Sequence, residues 1–556
     1  MEPRDHNKLV TMPSFTEEEK KLLEQYVTTT DGDIFAIKNL QGIVGAVYAR
    51  YSRAKTGFRE TLLKEFIQEG QIDPVKASEL IERVLVAYGD DSVGELEGAH
   101  VAFENISTIA TKEIEDRRIG ASPIEKSTRY VFFDEKDENG KYKYVREPAI
   151  MASGLAQKYE QGMDFVFDTY SSLIEPMQAF YRDRYPIEKA EYDILGTGTK
   201  QKLADLRDEK DKKAFQTTHK IDLKTKACDS LRCLLPLCTK TNVGMFGNGR
   251  YYQGLISHLL STPYPEVRKI GEQTFAELSK IIPRYVQRAK AKDYNIAIEK
   301  NMKKLADQYL GHFAAQTPEP VMLFPQKELS TENYLIANML YAYSELPLRQ
   351  IYTIVGWLSP EAKEKIKSTY IGTRQTRRDR PGRALESGYL YTFDLCADYG
   401  TYKDLMRHRM NTQMRQTFSP RHGFIVPDDI ATAGFAEKVM ECHRRVAELY
   451  EEILAVLGEV ASYVVLHGHR VRWLMGMNDR AAMHFLELRS GKQGHPQYRK
   501  LSQQIHKAIA EVQPWRACIM NFVDHNDYAS ARGESEAKQR VKEKFLDEKF
   551  GSTSNP

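Results

Sequence analysis

The 556-residue chain has no apolar run approaching the ~20 residues that a bilayer-spanning helix requires. Its opening stretch, MEPRDHNKLVTMPSFTEEEK, lacks the apolar core of an export signal. A cytoplasmic location without a membrane partner is therefore expected. Cysteine is scarce: Cys228, Cys233, Cys238, Cys396, Cys442 and Cys518 include no C-x-x-C pair. That argues against a disulfide framework and a structural zinc site, so no metal is expected. Charge of one sign is also missing, with 80 Lys and Arg against 77 Asp and Glu, a net +3. No global basic field attracts nucleic acid, so none is expected as a partner and any anion site must be local. What remains, 41% hydrophobic and 28% charged, is ordinary globular composition.

Periodicity and punctuation divide the chain. Residues 1–30 read as an N-terminal tail. A globular region covers 31–285, interrupted by a charged stretch near 185–226 that reads mainly as an insertion or exposed helical arm. Residues 286–328 read as a charged helical linker ending in AAQTPEPVMLFPQKE, 329–528 as a second globular region, and 529–556 as a charged tail. Within the first region, a helical period gives way near Gly120 and Pro123 to the run Ser127–Phe133, which reads as a strand with Ser127 and Arg129 on one face.

The two globular regions repeat one another. TKEIEDRRIGASPIEKSTRYV and YKDLMRHRMNTQMRQTFSPRHGF both run from helix to loop through a basic pair. Further on, Asn248-x-Arg250 and Asn478-x-Arg480 each lead down a helix to a loop and a Pro-x-x-Arg-Lys sequence. Two such pieces in the same order indicate a duplication. On a helical wheel Arg480 and His484 share a face, whereas Arg489 lies opposite. That pattern suits a helix between subunits serving two ligands, or a solvent-facing arginine. Arg407-His408-Arg409 on its own reads as a solvated helix end, where basic residues favour the last carbonyls, before it reads as a ligand site.

With these residues together, the chain resembles the flavin-dependent thymidylate synthases of the ThyX type, as a tandem duplication with partly degenerate motifs. The C-terminal region keeps Arg407-His408-Arg409 and the Asn478, Arg480, His484, Arg489 spacing. It has Thr412 and Thr417 at the two serine positions, Arg415 at the glutamate, Ser419 at the arginine and Ser462 at an earlier arginine. The N-terminal region is complementary. It keeps Ser122, Glu125, Ser127, Arg129 and Arg232, but has Asp116-Arg117-Arg118 for the basic triplet and Leu259 at the helix-terminal arginine.

The resemblance implies an α/β (α+β) fold of two tandem units, each a sheet flanked by long helices. It implies FAD-dependent methylation of dUMP to dTMP, with methylenetetrahydrofolate and NADPH as co-substrates. Arg407, His408, Arg409, Asn478, Arg480 and His484 would hold FAD. Glu125, Ser127, Arg129, Arg232 and Arg489 would bind nucleotide, with Ser127 and Arg489 as the catalytic pair. The split motifs imply one site made by both halves, and a homodimer standing for the family's tetramer. Arginine suits the task, because its fork of donors grips phosphate and stabilises charge developing on a carbonyl. Two alternatives stay open: a flavin enzyme transferring another one-carbon unit, and a degenerate paralogue that only binds nucleotide or flavin. A cysteine nucleophile at Cys238 is disfavoured because no activating base is apparent. His467 and His469 read as structural, and the loop Arg374, Arg377, Arg378, Arg380, Arg383 as solvated.

Overall fold

The computed structural model describes residues 15–83, 92–117, 119–376 and 378–528, with a few positions between 533 and 542. The N-terminal half is built on strand β1 (Gly98–Ser107), helix α1 (Thr108–Glu115), strand β2 (Ala121–Glu125), helices α2 (Ala156–Arg184) and α3 (Glu209–Leu231), strand β3 (Lys240–Asn248), and helices α4 (Gly249–Leu259) and α5 (Pro265–Leu278). Its sheet is antiparallel, in the order β1-β3-β2.

A helical layer follows: α6 (Asp293–Leu310), the short strand β4 (Val321–Leu323), α7 (Glu332–Tyr341), α8 (Leu348–Trp357) and α9 (Pro360–Ile371). The C-terminal half then repeats the first pattern. Strand β5 (Tyr391–Asp398), helix α10 (Tyr399–Leu405), strand β6 (Thr412–Arg415), helix α11 (Ala436–Leu457), strand β7 (Arg470–Met477), and helices α12 (Asp479–Ser490) and α13 (Pro496–Val512) give a sheet ordered β4-β5-β7-β6. The fold is mixed α/β with small antiparallel sheets.

The repeated sequence motifs do local work. Asn248 and Asn478 are N-caps, accepting from the N–H groups of Tyr251 at 2.8 Å and Ala481 at 3.0 Å. Pro265 and Pro496 open α5 and α13, where a missing N–H costs nothing. Equivalent segments of the two halves also pair with each other. Leu237 N–H donates to the Val465 carbonyl at 2.8 Å and His467 N–H to the Leu235 carbonyl at 2.9 Å, around an antiparallel bridge between Pro236 and Leu466. One hydrophobic core runs through both halves, with α2 and α11 packed across the join.

The halves differ in what covers their sheets. β5 is buried at all eight positions, because α7 and α8 lie over it: Tyr341 and the Leu348 N–H both bond to Asp394. The N-terminal sheet alternates, leaving Ile124 75% and Phe246 43% exposed. Helix α6 packs with α7 and α9 around Met302, Leu305 and Leu310 in a separate core.

Two expectations change. The strand read over Ser127–Phe133 lies earlier, at Ala121–Glu125, because pairing with β3 ends there and the Lys126 N–H makes the last bond to Asn242. Ser127 then turns the chain, its Oγ accepting from the Arg129 N–H at 3.2 Å, so Ser127 and Arg129 share a turn and not a strand face. The charged arm is half structural: α3 buries Phe215, Thr218, Asp222, Leu223 and Thr225 against its surroundings and packs on α2.

Candidate functional site

The two halves meet around one buried carboxylate. Glu125, at the end of β2, is met by Lys112 of α1 at 3.1 Å, by Lys403 of α10 at 2.7 Å, and by Arg407 at 2.5 Å. Lys112 also reaches Glu115 at 2.5 Å, and Arg407 lies 3.6 Å from the same Glu115. Lys112 and Lys403 occupy matching places in the repeated helix, one residue into TKEIEDRR and YKDLMRHR. Burial works to raise the Glu125 carboxyl, but Lys112, Lys403 and Arg407 outweigh it and hold it well below the usual carboxylate range. Burial presses Lys403 below the ordinary lysine range, against the pull of Glu125.

The basic triplet leaves α10 in a turn, which fans its side chains apart. Arg407 goes to Glu125, and Arg409 donates to Ser122 Oγ at 2.7 Å across the join. His408 is buried, its ring 4.7 Å from Phe485 and 5.8 Å from His484 of α12. Arg489 Nε donates to His408 Nε2 at 2.7 Å, which leaves the imidazole proton on Nδ1. His408 thus touches both the His484 and the Arg489 sides of α12, which the helical wheel had assigned to separate surfaces. Asn478, Arg480 and His484 are exposed on the first turns of α12.

A second polar group adjoins the first. Arg129 grips Asp229 of α3 with two bonds, 2.7 and 2.8 Å, and its remaining nitrogen donates to the Gln493 carbonyl of the other half at 3.3 Å. Arg232 is buried and donates to Asp404 at 3.0 Å, while its Nε and Nη2 have no partner among the described residues. It lies directly over Gly400, where a Cβ would come within 2.9 Å of the guanidinium. His495 caps α13, its Nδ1 accepting from the Gln497 N–H at 3.2 Å and its Nε2 lying 3.3 Å from the Asp229 carbonyl. Burial first, and then Arg232, push His495 down to about 3. Asp404 feels Arg232, Arg129 and Arg407 together and is held below the carboxylate range despite burial.

Ser127, Arg129, Arg232, Arg407, His408, Arg409 and Arg489 therefore lie along the join between the halves. Lys112, Glu115, Asp229, Lys403, Asp404 and His495 join them, although no motif singled them out. Cys238 is buried, and burial pushes its thiol up to about 12, which removes it as a nucleophile. The matching position, where the two halves exchange roles, is filled differently. Arg415 pairs with Glu113 at 2.6 Å, His258 joins it at 2.9 Å, and Ser419, Ser462 and Tyr264 stand buried where Arg129, Arg232 and His495 have their counterparts.

Two antiparallel sheets of like topology, joined through arginines and carboxylates drawn from both halves, define a two-unit α/β protein. The family model described as "Thymidylate synthase complementing protein" matches residues 41–284 and 351–515, and the chain belongs to that family. It is similar to a UPF0159 protein of Chlamydia muridarum, 34% identical over 95% of this chain and 99% of the relative. A UPF0159 protein of Chlamydia pneumoniae is 35% identical over 94% and 98%. One of Thermoplasma acidophilum is 30% identical over 90% and 98%. Membership supports a thymidylate-synthase-related function in nucleotide biosynthesis. No helix among the described residues is long and apolar enough to cross a membrane.

Proposed function

We propose that the chain is an FAD-dependent thymidylate synthase, methylating dUMP to dTMP with methylenetetrahydrofolate and NADPH, at one site shared by two halves that arose by duplication. The observation that carries this reading is the pairing of motif fragments across the join: Arg407 on Glu125, Arg409 on Ser122, and Arg129 beside the Gln493 carbonyl. Each half keeps what the other lost.

The donor set fits the groups required. Arg232 has two unpartnered buried nitrogens, and Arg407 Nε is a third. Such donors favour an anionic or carbonyl-bearing ligand, because leaving them unpaired costs about 1–3 kcal/mol each. In this reading Arg407, His408, Arg409, Asn478, Arg480 and His484 hold FAD, and Arg129 and Arg232 take the phosphate and the pyrimidine of dUMP. Ser127 orients the nucleotide, and Arg489 stabilises charge on it while fixing the His408 tautomer. Glu125, expected among the nucleotide-binding residues, is instead enclosed by Lys112, Lys403 and Arg407, and in this reading acts by holding Arg407 in place. FAD, when bound, supplies the redox chemistry and the one-carbon relay; the protein supplies binding and electrostatics.

Two chains pack as a homodimer in this reading, and the bare sheet face with Ile124 and Phe246 offers a surface for it. The work is cytoplasmic. The test is to purify the full chain, record its flavin absorbance, and assay dTMP formation from dUMP, methylenetetrahydrofolate and NADPH. A yellow protein whose reduced flavin is reoxidised in the presence of both substrates is expected. A colourless chain that takes up no FAD overturns the reading, and flavin oxidation indifferent to dUMP would favour a binding protein instead.

A further inference from the structure

The two sheets differ at one edge. In the C-terminal half the outer edge of β5 is closed by β4. The Phe324 N–H donates to the Thr392 carbonyl at 2.8 Å, the Cys396 N–H donates to the Pro320 carbonyl at 3.0 Å, and Met322 stands opposite Asp394. β1 is the counterpart of β5. His100 faces Phe246 of β3 as Thr392 faces Gly476 of β7, and Ala102 faces Gly244 as Asp394 faces Leu474. Counted back from the matching caps Asn248 and Asn478, these are the same positions. No strand among the described residues pairs with the outer edge of β1.

The hydrogen-bond ladder fixes which groups that edge presents. The Asn248 N–H donates to the Gly120 carbonyl at 3.0 Å and the Lys126 N–H to the Asn242 carbonyl at 3.0 Å, so the even-numbered residues of β3 turn their backbone groups toward β2. Bonding direction alternates along a strand, so the odd-numbered ones turn to β1 and engage Ala99, Val101 and Phe103. The N–H and C=O groups of His100 and Ala102 therefore point outward, and none has a partner among the described residues. Edge strands are commonly blunted by shortness, by Lys or Pro, or by a bulge. β1 runs ten residues, GAHVAFENIS, without Lys or Pro. Its one register shift comes after Phe103, where Asn105 has φ 57°, so the ladder is regular through His100 and Ala102.

We propose that this edge docks the same strand of a second copy of the chain, antiparallel, joining two three-stranded sheets into one of six strands. The residues along β1 identify the occupant, because the strand matches itself. With a two-fold axis at Val101, His100 stands opposite Ala102 of the partner subunit, and Gly98 opposite Glu104 of the partner subunit. No like charges meet, and each large side chain faces a small one. Val101, half-buried on the face that carries buried Ala99 and Phe103, meets its own copy across the axis and extends the apolar layer. His100 and Ala102 of the partner subunit exchange N–H and C=O bonds, as β4 and β5 do within one chain. Each copy gives what it receives, which is the requirement of a two-fold interface. The edge is distinct from the flat sheet face of Ile124 and Phe246, and the proposal does not depend on the flavin chemistry.

The experiment uses the full chain carrying Cys518→Ser, which removes the exposed thiol. Sedimentation should give twice the 63.9 kDa chain mass. Ala102→Pro deletes an outward donor and leaves the β1–β3 bonds in place. It should weaken dimerisation about tenfold or more. Val101→Cys sets two thiols on a pair that is not hydrogen-bonded, with Cα atoms about 4.5 Å apart, inside the disulfide range of about 4.4–6.8 Å. Mild oxidation should link the two copies covalently, a reductant should release them, and adding Ala102→Pro should abolish the link. The link decides the question even where Ala102→Pro fails to fold. No link in Val101→Cys, or a link that persists in a folded Val101→Cys/Ala102→Pro chain, overturns the proposal; a dimer that forms without the link rests on another surface.

Discussion

Arg407 and Glu125, 282 residues apart in sequence, meet at 2.5 Å inside the join between the two halves. Their contact belongs to a buried group of three cations and two carboxylates with Lys112, Lys403 and Glu115. Removing the central acid leaves three cations facing Glu115 alone, whereas removing Lys403 leaves charges balanced. Glu125→Gln should therefore cost about 3–5 kcal/mol. Lys403→Met should cost only about 1–3 kcal/mol. Urea unfolding of both variants checks the order, and a larger loss for Lys403→Met would contradict this account of the group.

Gly400 admits the Arg232 guanidinium where no other residue would. A methyl group there would come within 2.9 Å of three guanidinium atoms and push the side chain off Asp404. Because position 400 is helical, alanine is locally favourable by up to ~1 kcal/mol. Gly400→Ala should then fold normally yet raise the KM for dUMP about tenfold, the equivalent of ~1.4 kcal/mol. Steady-state kinetics beside a melting curve reads both; an unchanged KM would remove Arg232 from the nucleotide site.

His495 sets a pH dependence. Its Nδ1 accepts a capping bond from Gln497, so protonation breaks the cap as well as placing a charge beside Arg232 and Arg129, against which Asp229 and Asp404 only partly compensate. The folded value near 3 lies below an unfolded one near 6.5, so the unfolded chain binds the extra proton between them. Stability then falls as pH drops below about 6.5, by up to ~1.4 kcal/mol per pH unit from this group. Asp229 and Asp404, both held low, keep their contribution until pH falls below the carboxylate range. His495→Asn, which still caps the helix, should flatten the stability curve between pH 6.5 and 5. Denaturant titrations across that window decide it; parallel curves would contradict the argument.

The sequence carried the repeat and the arginines, because motif spacing survives in Arg407-His408-Arg409, Asn478-x-Arg480 and Ser127-x-Arg129. It did not carry their partners. Asp229 lies 100 residues from Arg129 and Asp404 172 from Arg232, and an isolated aspartate has no local signature. Lys112 and Lys403 were within reach, since aligning the two repeats residue by residue puts lysine at the same place in each. The misplaced strand has a different cause. Ser127–Phe133 has strong strand propensity, but strand formation depends on a neighbour to pair with, and β3 offers none beyond Glu125.

The central claim is that one site needs both halves, and flavin reoxidation in two single variants tests it most directly. Arg407→Ala, in the C-terminal half, should lose FAD during purification. Arg129→Ala, in the N-terminal half, should keep FAD but lose at least tenfold of its dUMP-dependent reoxidation. The measurement is the rate at which NADPH-reduced flavin returns to the oxidised spectrum when dUMP and methylenetetrahydrofolate are added. Impairment of both variants is the predicted result, and wild-type FAD content and rate in either one would contradict the composite site.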